Sequence, residues 1–279
     1  MDPIIYDFDK RELRKLRLFF CDIDGTLIDS NLHIGKFTED KVVKLSQKIP
    51  FLLTSGRTYR GLIPFHEQLN LGTPYITLNG AAIIDGKNII DSVPLPEKEA
   101  KEILCFLADH FSNDSINVFS LKEWYSNATD NIYVQRENEI LNFWPDRIFN
   151  MKKTENVVYS KILFIGPAED CNKVTEWGQR FQDAIYVIHN SPTYVEFFSK
   201  KASKGNAIKA YCRKNDCPLE NTLGAGDSLI DETMMRTCGF RASPSNANEL
   251  IQSLSNIHLP TNENDAIGYL ANDLLDLFK

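Results

Sequence analysis

The apolar residues in the first third of the chain fall into short dense runs separated by amphipathic stretches. Leu16 to Cys21 is dense in apolar residues rather than alternating, which predicts a strand covered on both faces, as in a parallel sheet. It runs straight into Asp22-Ile23-Asp24-Gly25-Thr26. A helix is predicted from about Thr38 to Gln47, a short buried strand over Phe51-Leu52-Leu53, a helix over Tyr59 to Leu69, and a third strand over Tyr75 to Leu78. Strand, helix, strand, helix, strand predicts a doubly wound, parallel-sheet α/β core.

The pattern changes after Asp85-Gly86. A helix opens at Pro96-Glu97 with Ile103, Leu104, Leu107 and Phe111 on one face. Strand-like segments follow at Ile116 to Phe119 and Val157 to Ile165, then a helix near Ala168 to Phe181 and a strand over Ile185 to Ile188. Beyond the polar stretch Ser199 to Gly205, helix and strand alternate again through Thr222 to Asp227. The expected organisation is a discontinuous core of residues 1–85 and 191–279, interrupted by an inserted α+β cap over 86–190.

Composition narrows the partners. The 279 residues, 43% hydrophobic, suffice for a sizeable core, and a net charge of -7 argues against phosphate-backbone binding to nucleic acid. The six cysteines show no paired metal-finger spacing, which predicts reduced thiols in a cytoplasmic protein. Early charged residues and the lack of a long apolar run predict neither a signal peptide nor a membrane span.

Candidate chemistry sits at the strand ends. Asp22 and Asp24 stand two residues apart where a buried strand ends, and period-two alternation is expected to send both carboxylates to one side. Ligands bind beyond the carboxyl ends of strands in open parallel sheets. Two close carboxylates call for a hard cation with oxygen ligands, Mg2+ being the natural one. Ser55-Gly56-Arg57, Lys204-Gly205, and Gly226-Asp227 with Asp231 four residues on are expected at the ends of further core strands. Each is bland alone: a helix cap, a solvated charge, a capping Asp. Together they supply the parts of a phosphoryl-transfer site. Ser55 and nearby backbone N–H groups hold a phosphate oxygen, Lys204 offsets charge, and Asp227 joins Asp22 and the Asp24 carbonyl around the metal. Asp24 is the general acid and base beside the nucleophile Asp22.

These segments, in this order and spacing, resemble the four motifs of haloacid dehalogenase-like phosphatases. The insert is similar to the cap of the Cof-type (class IIB) subgroup of sugar-phosphate phosphatases. Asn79-Gly80-Ala81 and Ser203-Lys204-Gly205-Asn206-Ala207 resemble that subgroup's hinge regions, and Asn246-Ala247 its phosphate-side loop. The resemblance implies a Rossmann-like core and a magnesium-dependent phosphatase acting on a small phosphorylated metabolite through an aspartyl phosphate. A phosphosugar mutase and a catalytically silent phosphometabolite sensor are the alternatives. It also implies substrate contacts from Ser55, Gly56, Arg57, Lys204 and Asn246, and a metal group of Asp22, Asp24, Asp227 and Asp231. One position departs: where the subgroup has Asn before the last Asp of the fourth motif, this chain has Ile230, implying weaker or differently tuned metal binding with Asp231 holding a metal-bound water.

Overall fold

The structure is a computed structural model that describes residues 3–141, 143–148 and 157–278. The chain divides into two compact units: Met1–Gly56, Leu62–Asp91 and Ser203–Lys279 form the first, Arg57–Gly61 and Ser92–Ala202 the second.

In the first unit six parallel strands form the centre of a nine-stranded sheet among the described residues. Across the sheet they run Ile257–Leu259, Phe240–Pro244, Thr222–Ala225, Leu18–Asp22, Phe51–Thr54, Tyr75–Thr77. Numbered along the chain, this is the Rossmann strand order, 3-2-1-4-5-6 read from Tyr75–Thr77. The order reverses between Leu18–Asp22 and Thr222–Ala225, so ligand-binding groups belong at the carboxyl ends of these two strands. Short antiparallel strands complete both edges: Ile5–Tyr6 on one, Ala82–Asp85 and Asn88–Ser92 on the other.

Both faces are covered, which is why Leu18–Asp22 reads as a nearly continuous apolar run. Leu18 and Phe20 pack with Leu52 and Ile76 against Ile208, Tyr211, Met234 and Ile251 from three helices. On the opposite face, by alternation, Phe19 meets Phe51 with ring centroids 4.6 Å apart. Both rings are fully buried, each contributing about 2–3 kcal/mol of apolar transfer free energy.

Among the described residues the second unit holds a six-stranded sheet whose neighbours, except one short parallel edge pair, run antiparallel. Its core joins Ile116, Val118, Ile162 and Phe164 to Ile103, Leu104, Leu107 and Val174 of the helices Glu97–His110 and Ala168–Gly178. The insert ends later than residue 190. Tyr194–Ser199 is a strand paired with both Lys161–Ile165 and Ile185–Ser191, so those residues belong to this sheet and the chain returns to the first unit only at Ser203.

Candidate active site

Asp22 is the last residue of its strand, opposite Thr54, and Ala225 pairs with Cys21 on the other side. Asp22, Ser55 and Gly226-Asp227 therefore leave three adjacent strands at one level. Strand alternation does not place Asp24. The strand stops at Asp22, and the N–H groups of Leu27 and Ile28 fold back on the Ile23 carbonyl at 2.9 and 3.1 Å. Asp24 stands exposed on that turn. Gly25 has φ +74, and a Cβ there would lie 2.4 Å from Asp227 Oδ2, so both conformation and space require glycine.

Lys204 opens the helix Lys204–Lys214, capped by Ser203, whose hydroxyl accepts from the Asn206 N–H. A cation at a helix N-terminus opposes the helix dipole, and this one is also 2% exposed. Its compensation is two carboxylates: Lys204 Nζ donates to Asp22 Oδ1 at 2.5 Å and to Asp231 Oδ1 at 2.6 Å.

Asp231 spends its second oxygen locally. Oδ2 accepts from the backbone N–H groups of Asp227 and Ser228 and from the Ser228 hydroxyl, at 3.0 to 3.1 Å, closing a capping box. Asp231 thus joins Lys204 to the loop that carries Asp227. Asp227 in turn accepts the Thr26 hydroxyl at 3.1 Å, tying the fourth segment to the first.

Oxygens of Asp22, Asp227 and Asp231 lie within 4.8 Å of one another. Burial, then the charge of Asp231, raise the Asp22 carboxyl well above its ordinary range, with Lys204 and its hydrogen bond pulling the other way. Burial and Asp231 likewise push Asp227 up to about 6, with a smaller contribution from Asp24. Burial works to lower Lys204, but Asp22 and then Asp231, by charge and hydrogen bond, together raise it above its ordinary range. The cluster is short of positive charge, and its donors are hard carboxylate oxygens, the set a divalent cation such as Mg2+ takes. The residues fit the ion. Asp22 and Asp227 are the carboxylates positioned to hold it; Asp231 is already engaged by one ammonium and three other donors.

Ser55 is buried, its carbonyl accepting from the Asn79 N–H at 3.0 Å. Asn79 also sits against Gly56, where a Cβ would meet its Oδ1 at 2.7 Å. Gly80 follows with φ +95, its α-carbon facing the Ser203 carbonyl so closely that a Cβ would come to 2.2 Å. Asn79-Gly80 therefore clamps the Ser55 and Lys204 segments together, a role for which the sequence offered only a resemblance to a hinge. Arg57, half-buried, falls in the second unit. Asn246 uses its amide as a tether: Nδ2 donates to the Gly25 carbonyl at 2.9 Å, and Oδ1 accepts from Asn262 N–H at 3.0 Å.

The haloacid dehalogenase-like hydrolase family model matches residues 19–270. The chain belongs to this family of hydrolases. Phosphatase YwpJ of Bacillus subtilis (strain 168) is 25% identical to it, over 93% of this chain and 100% of its own. Pyridoxal phosphate phosphatase YbhA of Escherichia coli (strain K12) is 20% identical over 90% of this chain and 96% of its own. Among solved structures, TM0651 from Thermotoga maritima superposes with a TM-score of 0.84 at 25% identity, covering 92% of this chain and 97% of that one. A haloacid dehalogenase-like hydrolase from Bacteroides thetaiotaomicron shares the fold, with a TM-score of 0.82 at 22% identity over 92% and 98%. Among the described residues no helix is long and apolar enough to cross a membrane.

Proposed function

We propose that this chain is a magnesium-dependent phosphatase that hydrolyses the phosphate monoester of a small metabolite, a sugar phosphate foremost, through an aspartyl phosphate on Asp22. The observation that carries the reading is the buried pair of Asp22 and Lys204 at the switch point, with Asp227 beside it. The names of the curated relatives support phosphate-ester hydrolysis, one on pyridoxal phosphate.

In the proposed reaction Asp22 Oδ2 attacks phosphorus, while Lys204 holds Oδ1 and fixes the carboxylate's orientation. The leaving alcohol takes its proton from Asp24, which the exposed turn gives access to solvent. Water then loses a proton to Asp24 and attacks the acyl phosphate, releasing inorganic phosphate and restoring Asp22. The Gly56 backbone N–H and the Ser55 hydroxyl are assigned to the phosphate oxygens. Asp22, Asp227 and the Asp24 carbonyl would hold magnesium, which would supply positive charge beside the transferring phosphoryl group. Asp231 acts behind them on Lys204, and Asn246 holds the Gly25 turn.

A phosphate-release screen over sugar phosphates, pyridoxal phosphate and an aryl phosphate tests the reading. Release that needs magnesium and stops with chelator is expected; full activity in metal-free buffer contradicts it. Formation of an isomeric sugar phosphate without free phosphate would make the chain a mutase instead.

A further inference from the structure

The helix that begins at Lys204 ends in an arrangement that the phosphatase reading does not use. Its last residue is Lys214, with Asn215 as C-cap and Asp216 at φ +47. The Cys217 N–H then returns to the Cys212 carbonyl at 3.0 Å. A left-handed residue followed by this six-to-one hydrogen bond is a Schellman motif, which ordinarily brings together an apolar pair three residues before and two after the cap. Here those two positions are Cys212 and Cys217, which pack in one buried cluster, the Cys217 thiol donating to the Pro218 carbonyl at 3.6 Å. The helix terminus itself thus brings two free cysteines together.

The pair is also reachable. Cys217 is 8% exposed against 2% for Cys212, and both line an open surface cavity of about 640 Å³ between Lys209, Arg213 and Pro218. The Arg17 guanidinium, which donates to the Asp216 carbonyl at 2.9 Å, favours the Cys217 thiolate. Lys209 and Arg213 in the lining, with Arg17 acting on Cys217, favour an anionic reagent over a neutral one, opposed by Asp216 in the lining and by Glu220 near Cys217.

We propose that Cys212 and Cys217 form a redox-modification site, closing to an intrachain disulfide by exchange with a small anionic disulfide of the glutathione type. The Cys217 thiolate attacks one sulfur of the reagent, whose S–S bond breaks and releases one thiolate. Cys212 then loses its proton and attacks the Cys217 sulfur of the mixed disulfide, expelling the second thiolate. One external disulfide becomes two thiols, and the protein loses two hydrogens. Burial raises both thiols above their ordinary range, Cys212 to about 12, so exchange is slow, on the order of hours. Cys238 lies nearby but is 2% exposed and is absent from the cavity lining.

The test treats the folded protein, in a Cys105→Ser background that removes the exposed thiol, with oxidised glutathione, then alkylates and digests it with trypsin. Cleavage after Arg213 and Lys214 separates Cys212 from Cys217, and cleavage after Arg236 separates both from Cys238. The expected product is a single linked pair, the Cys212 peptide joined to the Cys217 peptide, reversed by dithiothreitol. In Cys212→Ser the glutathione adduct should accumulate on Cys217. A bridge from Cys217 to Cys238, or prolonged incubation that leaves both Cys212 and Cys217 alkylatable only after unfolding, overturns the proposal. The mapping reads the parent protein directly, so it stands even if the serine variant fails to fold. It uses no phosphatase measurement, so its outcome is independent of the reaction proposed above.

Discussion

Lys204 and Asp231 form a 2.6 Å ion pair in which neither side chain reaches solvent, the two being 2% and 0% exposed. Since Asp231 also grips the Asp227 loop, one carboxylate sets the positions of a cation and a candidate metal ligand on different segments. Asp231→Asn keeps the shape but turns an amide donor or a neutral carbonyl toward Lys204. We expect kcat/KM to fall about 10- to 100-fold and half-saturation to need more magnesium, as for groups that orient metal ligands. A magnesium titration of activity checks this, and an unchanged requirement would count against the positioning role.

The metal-free protein should carry a pH signature from Asp227. Its carboxyl, pushed up to about 6 by burial and by Asp231, binds a proton more tightly folded than unfolded. Between the unfolded value and about 6 the native state holds more protons, so stability rises as pH falls through that window and is lost as pH rises through about 6. Asp227→Asn removes this contribution. The Tm difference between parent and variant, measured in chelator from about pH 7 down to about pH 5, should move in the parent's favour toward acid. Magnesium affinity should run the opposite way, weakening as pH drops below about 6, because the ion needs the carboxylate.

Gly80→Ala tests the clamp. The added methyl meets the Ser203 carbonyl at 2.2 Å in a backbone conformation that L-residues rarely adopt. The expected loss is about 2 to 4 kcal/mol in urea unfolding, from strain plus the forced shift of Ser203. Activity should fall beyond what the unfolded fraction explains, because Lys204 follows Ser203 directly.

How far the sequence reached depends on how each element is buried. Leu18–Asp22 and Phe51–Thr54 were readable because both faces are covered and every position is buried. Tyr194–Ser199 was not, since Glu196 interrupts it, its charge answered by Lys161 at 2.7 Å on a neighbouring strand. The helix Ile132–Leu141 was missed for a related reason. Its centre is polar, and its buried Glu137 depends on Tyr194 and Lys161, which sequence distance hides. At the site, spacing brought Asp22, Lys204, Asp227 and Asp231 together but could not allocate lone pairs. That Asp231 holds Lys204 and a loop, and that Asn246 holds the Gly25 carbonyl, are facts of geometry alone.

The central claim is that Asp22 accepts the phosphoryl group, and it is tested most directly by trapping that adduct. Asp24→Asn retains the nucleophile while removing the group assigned to protonate the alcohol and activate water, a loss of about 10²- to 10⁴-fold in rate. With an aryl phosphate, whose leaving group needs little protonation, this variant should transfer the phosphoryl group yet hydrolyse it slowly. Acid quenching followed by peptide mapping in a mass spectrometer should then find one phosphoryl group on Asp22, and none when Asp22→Asn is added. A phosphoryl group on Ser55 or on a histidine, with Asp22 unmodified, would contradict the account.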